Sequence, residues 1–167
     1  FNYEGAPASV ESAPIVVGGS MPSQEDPTRE GYQFDGWYTA VEGGTKVILS
    51  TAKVEKNTTL YAHWKQKFTV TFHAVLNGME SPESREIADA EALGQLPVLT
   101  EREGYTFKGW YSSDDYEENT KVTADSVVSA NMDVYAKWTT TVTFNHNFGD
   151  TPTTTQVEAV VKKTITR

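Results

Sequence analysis

Tryptophan directly after glycine, twice, is the arrangement in this sequence with the most to offer a ligand. Gly36-Trp37 and Gly109-Trp110 close matching runs, GYQFDGWY and GYTFKGWY. If such a run alternates strictly as a strand, Tyr105, Phe107 and Tyr111 share one face, and Trp110 lies on the other beside Thr106 and Lys108. An indole exposed on a flat sheet suits stacking on a sugar ring or insertion into a protein partner. The competing reading takes the glycine as a bulge that turns the indole back into the core, and it is favoured for Trp37 and Trp110 alike. Tyr61 and Tyr135 belong to a second pair of matching runs, where they alternate with Trp64 and Trp138. The tryptophans there read as core. The two tyrosines read as rim packing or, together with the Gly-Trp indoles, as an aromatic patch for a protein or glycan.

Other chemistry is harder to assemble. His63, His73 and His146 are scattered, and position 63 corresponds to Lys137 in the matching run. A zinc site needs about four clustered ligands, so these read as solvated histidines. Asp114, Asp115, Glu117 and Glu118 could offer oxygens to calcium, which takes about six to eight. Their spacing fits no EF-hand loop and the other copy has no counterpart, which leaves a solvated loop. The absence of cysteine removes disulfides, thiol catalysis and thiolate metal sites. Neither a Gly-x-Ser-x-Gly elbow, a phosphate-cradling glycine loop nor His-Glu-x-x-His occurs. Glycan hydrolysis needs two carboxylates facing across a cleft, and no motif singles out such a pair among the 23 acids. The expectation is a protein that is not an enzyme and has no cofactor and no metal. A net charge of −9 makes a nucleic-acid backbone an unsuitable partner. No apolar run approaches the roughly 20 residues of a membrane helix, so no membrane insertion is expected.

The elements that hold these residues come as an internal repeat. REGYQFDGWYT from Arg29 returns as REGYTFKGWYS from Arg102, TKV at Thr45 returns at Thr120, and NTTLYAHW at Asn57 returns as NMDVYAKW at Asn131. TVTF at Thr69 returns at Thr141, and the opening FNYEG aligns with the segments beginning at Phe72 and Phe144. The period is about 73 residues. It divides the chain into a first repeat over 1–67, whose N-terminal strand is truncated, a second over 68–138, and the start of a third over 139–167. A chain that begins in a strand and ends inside a repeat suggests a piece of a longer array.

Within a repeat, TVTF alternates as a half-buried strand, with Phe68, Val70 and Phe72 on one face. Residues 84–88, matching 154–159, are expected to return against it as a hairpin. NMDVYAKW puts Met132, Val134, Ala136 and Trp138 inward and Tyr135 and Lys137 outward. ADAEALG over 88–94 suggests about one and a half helical turns ended by glycine. At 167 residues with 38% hydrophobic and 11% aromatic content, the chain is globular, and its large aromatics must supply much of each small core. Charge divides unevenly: 6 basic and 8 acidic residues over 1–67, 5 and 13 over 68–138, 3 and 2 over 139–167. The copies therefore share a scaffold but not a surface.

R-E-G-Y-x-F-x-G-W-Y, the central T-K-V and the closing L/V-Y-A-x-W together resemble the Listeria–Bacteroides repeat, the family of the internalin B-repeat. The resemblance spans both copies and the third as far as it goes. It implies an α+β, mostly β architecture of tandem small β-grasp, ubiquitin-like modules. It implies a bacterial protein at the cell surface or secreted, with no enzymatic activity in the module. The role implied is a stalk or spacer near the cell wall or, alternatively, adhesion to a host protein or glycan through the Gly-Trp-Tyr strand. Neighbouring repeats in the same chain are the first expected partners. One departure is the acidic insert over 114–118, where family members usually carry the glycine-rich turn that the first copy keeps as EGGT.

Overall fold

A computed structural model describes residues 2–3, 14–146 and 154–162. It is mostly β, and it divides into two compact units, Phe1–Lys67 and Phe68–Arg167.

The first unit contains β1 (Asn2–Tyr3), β2 (Tyr32–Tyr38), β3 (Lys46–Val47) and the first half of β4 (Tyr61–His73). Strand β4 is central: β1 runs parallel to it through Asn2↔Tyr61, and β2 runs antiparallel through Trp37↔Ala62. The edge strand β3 pairs with β2. The core is small, with Trp37, Leu60 and Ala62 buried and Met21, Phe34, Val47, Leu49 and Trp64 packed around them. Phe34 meets both Trp37 and Trp64 edge-on, with ring centroids 5.4 and 5.5 Å away. That is the geometry the ring quadrupoles favour.

The second unit opens with the rest of β4. It continues through β5 (Arg85–Ala88), β6 (Glu91–Ala92), β7 (Thr106–Tyr111), β8 (Lys121–Val122), β9 (Val127–Val128), β10 (Met132–Asn145) and β11 (Thr154–Val161). Strand β10 takes the central place that β4 holds in the first unit. It lies parallel to β4 through Val134↔Phe72 and antiparallel to β7 through Ala136↔Trp110. Its second half pairs with β11 from Trp138↔Val161 to Asn145↔Thr154. The expected hairpin is thus formed, although its turn lies outside the described residues. Strand β5 also pairs with β4, and β8 flanks β7. The core gathers Val70, Phe72, Trp110, Val128, Val134, Ala136 and Trp138, none more than 1% exposed.

One expected element is absent. Residues 88–94 do not form a helix, because their amides are spent on the segment opposite: Ala90 N–H donates to the Val128 carbonyl, Leu93 to Ser126 and Gly94 to Ala124. Ala90 takes a left-handed turn at φ +61°, and Glu91–Ala92 then pairs with β9. Leu93 is buried by this route, so tertiary packing overrides a weak local helix preference. Among the described residues the one helical turn is a 3₁₀ turn, Glu118–Thr120. The mostly β expectation stands, and the α component reduces to that turn.

Candidate functional site

Both Gly-Trp strands carry a β-bulge at the residue before the glycine. The β2–β4 register skips Asp35 between Phe34 and Gly36, and the β7–β10 register skips Lys108 between Phe107 and Gly109. The glycines adopt φ +142° and +119°, a backbone that other residues take only under strain. The extra residue reverses the alternation downstream of it. Phe107 and Trp110 therefore face the same core, their ring centroids 5.7 Å apart, and Trp110 also meets Phe72 at 5.1 Å. Trp37 is 3% exposed and Trp110 1%. The fold does not build an exposed-indole surface at either position. Trp110 donates its indole N–H to the Pro97 carbonyl at 2.9 Å, which fixes the ring in place.

Spectroscopy reads this directly. Emission from Trp37, Trp110 and Trp138 should be blue-shifted and shielded from iodide, and the quenching that remains should come from the half-buried Trp64. Red-shifted, iodide-quenched emission that persists in a Trp64→Phe variant would put Trp37, Trp110 or Trp138 back at the surface.

Tyr61 and Tyr135 are half-buried. Tyr135 stacks on His73 with centroids 4.8 Å apart and planes 15° from parallel, while His73 Nε2 meets Asp133 Oδ1 at 2.7 Å. In the first unit Tyr38 stacks on His63 at 3.9 Å, and His63 Nε2 donates to the Ala40 carbonyl at 2.9 Å. His146 binds the Thr155 hydroxyl at 2.7 Å. Each histidine is thus tied into local packing, and the three are not brought together.

The acidic insert contains a residue that sequence reasoning passed over. Asp114, Asp115, Glu117 and Glu118 are exposed, but Tyr116 between them is 5% exposed. It turns inward at φ +56° and lays its ring edge-on to Tyr111, centroids 5.7 Å apart. Burial pushes its hydroxyl above the usual tyrosine range. Lys137 lies 5.0 Å from the Tyr111 ring and donates to the Tyr116 carbonyl at 3.3 Å. The insert therefore roofs a second aromatic cluster on the sheet face opposite the core. A tyrosine inside a run of acids was the available signal.

The bulge residues differ in sign between copies. Asp35 accepts from the Tyr38 hydroxyl at 2.5 Å and pairs with Lys46 at 3.4 Å; the tyrosine hydrogen bond and then the lysine hold its carboxyl below the usual range. Lys108 instead reaches Glu158 at 2.6 Å, and that carboxylate also accepts from the buried Thr139 hydroxyl at 2.7 Å. Lysine first and threonine second hold Glu158 below the ordinary glutamate value of 4.5. A depressed carboxylate contributes stability above its unfolded pKa and loses it as pH falls through the folded one. Exchange of β11 amides in the parent should thus be slower than in Glu158→Gln at neutral pH. The two should converge as the pH drops below about 4.5. A difference that grows as the pH falls through the carboxylate range would show that the ion pair is not the cause.

Each unit also has an open surface cleft. In the second it measures about 780 Å³ and is lined by Tyr105, Tyr135, His73, Asp114 and Lys162 among others. In the first it measures about 350 Å³, lined by Tyr32, Arg29, Glu42 and His63 among others. The equivalent tyrosines 32 and 105 line both, but the charged groups around them differ. Among the described residues no group of three or more histidine, aspartate or glutamate side chains gathers as a metal would require.

The aromatic framework and its bulges recur in both units. The model of the Listeria-Bacteroides repeat domain matches residues 1–63 and 68–137. The chain belongs to the Listeria-Bacteroides repeat family. It is 32% identical over 114 residues to Internalin H of Listeria monocytogenes, a stretch covering 68% of this chain and 20% of that protein. Two proteins of Evansella cellulosilytica are similar as well, one provisionally named a Gly-rich membrane protein and the other a membrane protein. The first is 31% identical over 146 residues, covering 85% of this chain and 16% of that protein. The second is 32% identical over 132 residues, covering 78% and 19%. The chain thus spans about a fifth or less of the length of these relatives. No solved structure matches it. Among the described residues no helix is long and apolar enough to cross a membrane.

Proposed function

We propose that these Listeria-Bacteroides repeats are non-catalytic modules that serve as a stalk or spacer in a bacterial surface or secreted protein. The observation that carries the reading is where identity between the copies goes. The shared large aromatics, Phe34/Phe107, Trp37/Trp110 and Trp64/Trp138, pack each core. Many outward positions diverge, although Tyr32/Tyr105 and Tyr61/Tyr135 do not: Asp35 against Lys108, His63 against Lys137, EGGT against the acidic insert. What is repeated is a scaffold, and a scaffold reused under changing surfaces suits spacing better than recognition of one ligand. The similarity to Internalin H supports the surface location.

The module reads as a β-grasp whose crossing helix has become irregular chain. Support comes from the second unit, where the first and last strands of the repeat, β4 and β10, lie parallel side by side with β5 on one flank and β7 and β8 on the other. The module boundaries follow the sequence period: 1–67, 68–138, and a third beginning at 139. The partners of each module are its neighbours in the same chain, and no cofactor or metal takes part.

A binding screen of the 167-residue chain against extracellular-matrix proteins and glycans tests the spacer role. No binding up to high micromolar concentration is the expected result. Binding that disappears in a folded Tyr61→Ala/Tyr135→Ala variant would replace the spacer with an adhesin and locate its surface.

A further inference from the structure

Asn77 is the one asparagine in the chain that is followed by glycine. The pair sits at the tip of the loop between β4 and β5, where both residues are exposed. A tight turn presents it: the Met79 N–H donates to the Leu76 carbonyl at 3.1 Å, and Gly78 takes φ +74°. A Cβ built on Gly78 would meet nothing within 4 Å, so the peptide is open to solvent. Among the described residues no group accepts from the Gly78 amide.

The carbonyl of the same peptide is held by a cation. Arg102 Nη1 donates to the Asn77 carbonyl at 2.6 Å. The Arg102 backbone is itself fixed in a turn, where the Tyr105 N–H donates to its carbonyl at 3.0 Å. When an amide nitrogen loses its proton, the charge it gains is shared with the carbonyl oxygen of that peptide. A guanidinium on the oxygen therefore favours the ionised amide, since a hydrogen bond from a cation strengthens as the acceptor becomes more negative. The nitrogen activated in this way is that of Gly78, one residue along from the Asn77 side chain. No side chain crowds it.

We propose that Asn77-Gly78 is a self-modifying site, at which the Gly78 nitrogen closes on the Asn77 side chain and Arg102 promotes the closure. The Gly78 N–H gives its proton to hydroxide, and the nitrogen attacks Asn77 Cγ. A C–N bond forms, the Cγ–Nδ2 bond breaks, and ammonia leaves with a proton taken from water. Water then opens the resulting succinimide ring. Opening between nitrogen and Cγ leaves aspartate at position 77, whereas opening at the backbone carbonyl leaves isoaspartate, whose chain runs through Cγ. The sum is asparagine plus water giving aspartate or isoaspartate plus ammonia, with nothing oxidised or reduced. Either product places a carboxylate beside Arg102 in the more acidic of the two repeats. Isoaspartate also adds a methylene to the backbone between Leu76 and Met79, which both pack on the second core. Loss of ammonia is irreversible, so the converted fraction records the age of the folded chain. None of this depends on the spacer role, and its failure leaves the binding screen untouched.

The test is peptide mapping by mass spectrometry of the 167-residue chain, held at mildly alkaline pH and sampled over days. The peptide containing Asn77 should gain about 1 Da while the other asparagines stay intact, and isoaspartyl methylation should label part of the product. Arg102→Gln should convert at least about threefold more slowly when folded, because the cation on the carbonyl is gone. Arg102→Lys, which replaces the fork with a single charged donor, should fall between the two. In guanidinium chloride, where the contact with Arg102 is lost, all three chains should convert alike. No mass gain at Asn77 would overturn the proposal, as would gain at the other asparagines at the same rate. So would a folded Arg102→Gln chain that converts as fast as the parent, or a lysine variant no faster than the glutamine one.

Discussion

Trp138→Ala should destabilise the second unit by about 3–5 kcal/mol, the range for truncating a buried aromatic residue whose cavity cannot close. Trp138 is 1% exposed at the middle of β10, paired to β7 through Phe107 and to β11 through Val161. Its ring packs on Phe107 at 5.2 Å, and its indole N–H satisfies the Ala74 carbonyl at 2.8 Å. Truncation removes the packing and strands a buried acceptor, and the two losses add to each other. Small domains hold only about 5–15 kcal/mol in total, so much of the unit's stability goes with this one side chain. Denaturant unfolding followed by the remaining tryptophans measures it. Trp138→Phe gives an intermediate case, because it keeps an aromatic ring on Phe107 while losing the hydrogen bond and part of the packing. A loss below about 1 kcal/mol for the alanine variant would mean that Trp138 does not organise this core.

Gly109→Ala should cost about 1–3 kcal/mol through the backbone alone. A Cβ built there has no neighbour closer than 3.8 Å, so no clash enters; the cost is that of holding alanine at φ +119°. Gly36 sits at φ +142° in the same bulge, and a Cβ there would lie 2.5 Å from the Lys46 Cε. That lysine end can move away, but moving it gives up the 3.4 Å pair with Asp35. Gly36→Ala should therefore combine the backbone strain with a weaker dependence of first-unit stability on salt. If Gly109→Ala melts as the parent does, the bulge is soft and the indole is held inward by packing alone.

These glycines show what was readable from the sequence and what was not. The alternation of NMDVYAKW put Val134, Ala136 and Trp138 inside and Tyr135 and Lys137 outside, and the burial follows it. Nothing interrupts that strand, so period two survives from sequence to structure. The Gly-Trp strand was readable only as two alternatives, because one inserted residue inverts every later side chain. Whether a glycine makes a bulge depends on the partner strand's register, which lies about 30 residues away. The helix expected over 88–94 failed for a related reason. Its apolar residues are as compatible with a turn and a two-residue strand, and the choice was made by carbonyls at 124–128 that no local window contains. Tyr116 was hidden by its acidic neighbours, since composition marks a loop as solvated without saying which of its side chains folds back.

The position of β10 has a consequence for how such chains are cut. Residues 138 and 139 mark the join between sequence repeats, yet Trp138 and Thr139 are each paired on both sides, to β7 and to β11. A protease needs several residues of unpaired, extended chain and works fastest at exposed loop tips. It finds no such stretch at the join; the loop over 112–119 has mostly exposed side chains, and opening it costs the Ser112–Thr120 hydrogen bond and the burial of Tyr116. Limited digestion of an array built this way would shed pieces whose ends fall inside repeats. Their masses would still be whole multiples of the sequence period, because equivalent loops lie one period apart. Each piece would join the end of one repeat to the start of the next, and its cores would be broken by the cut instead of released intact.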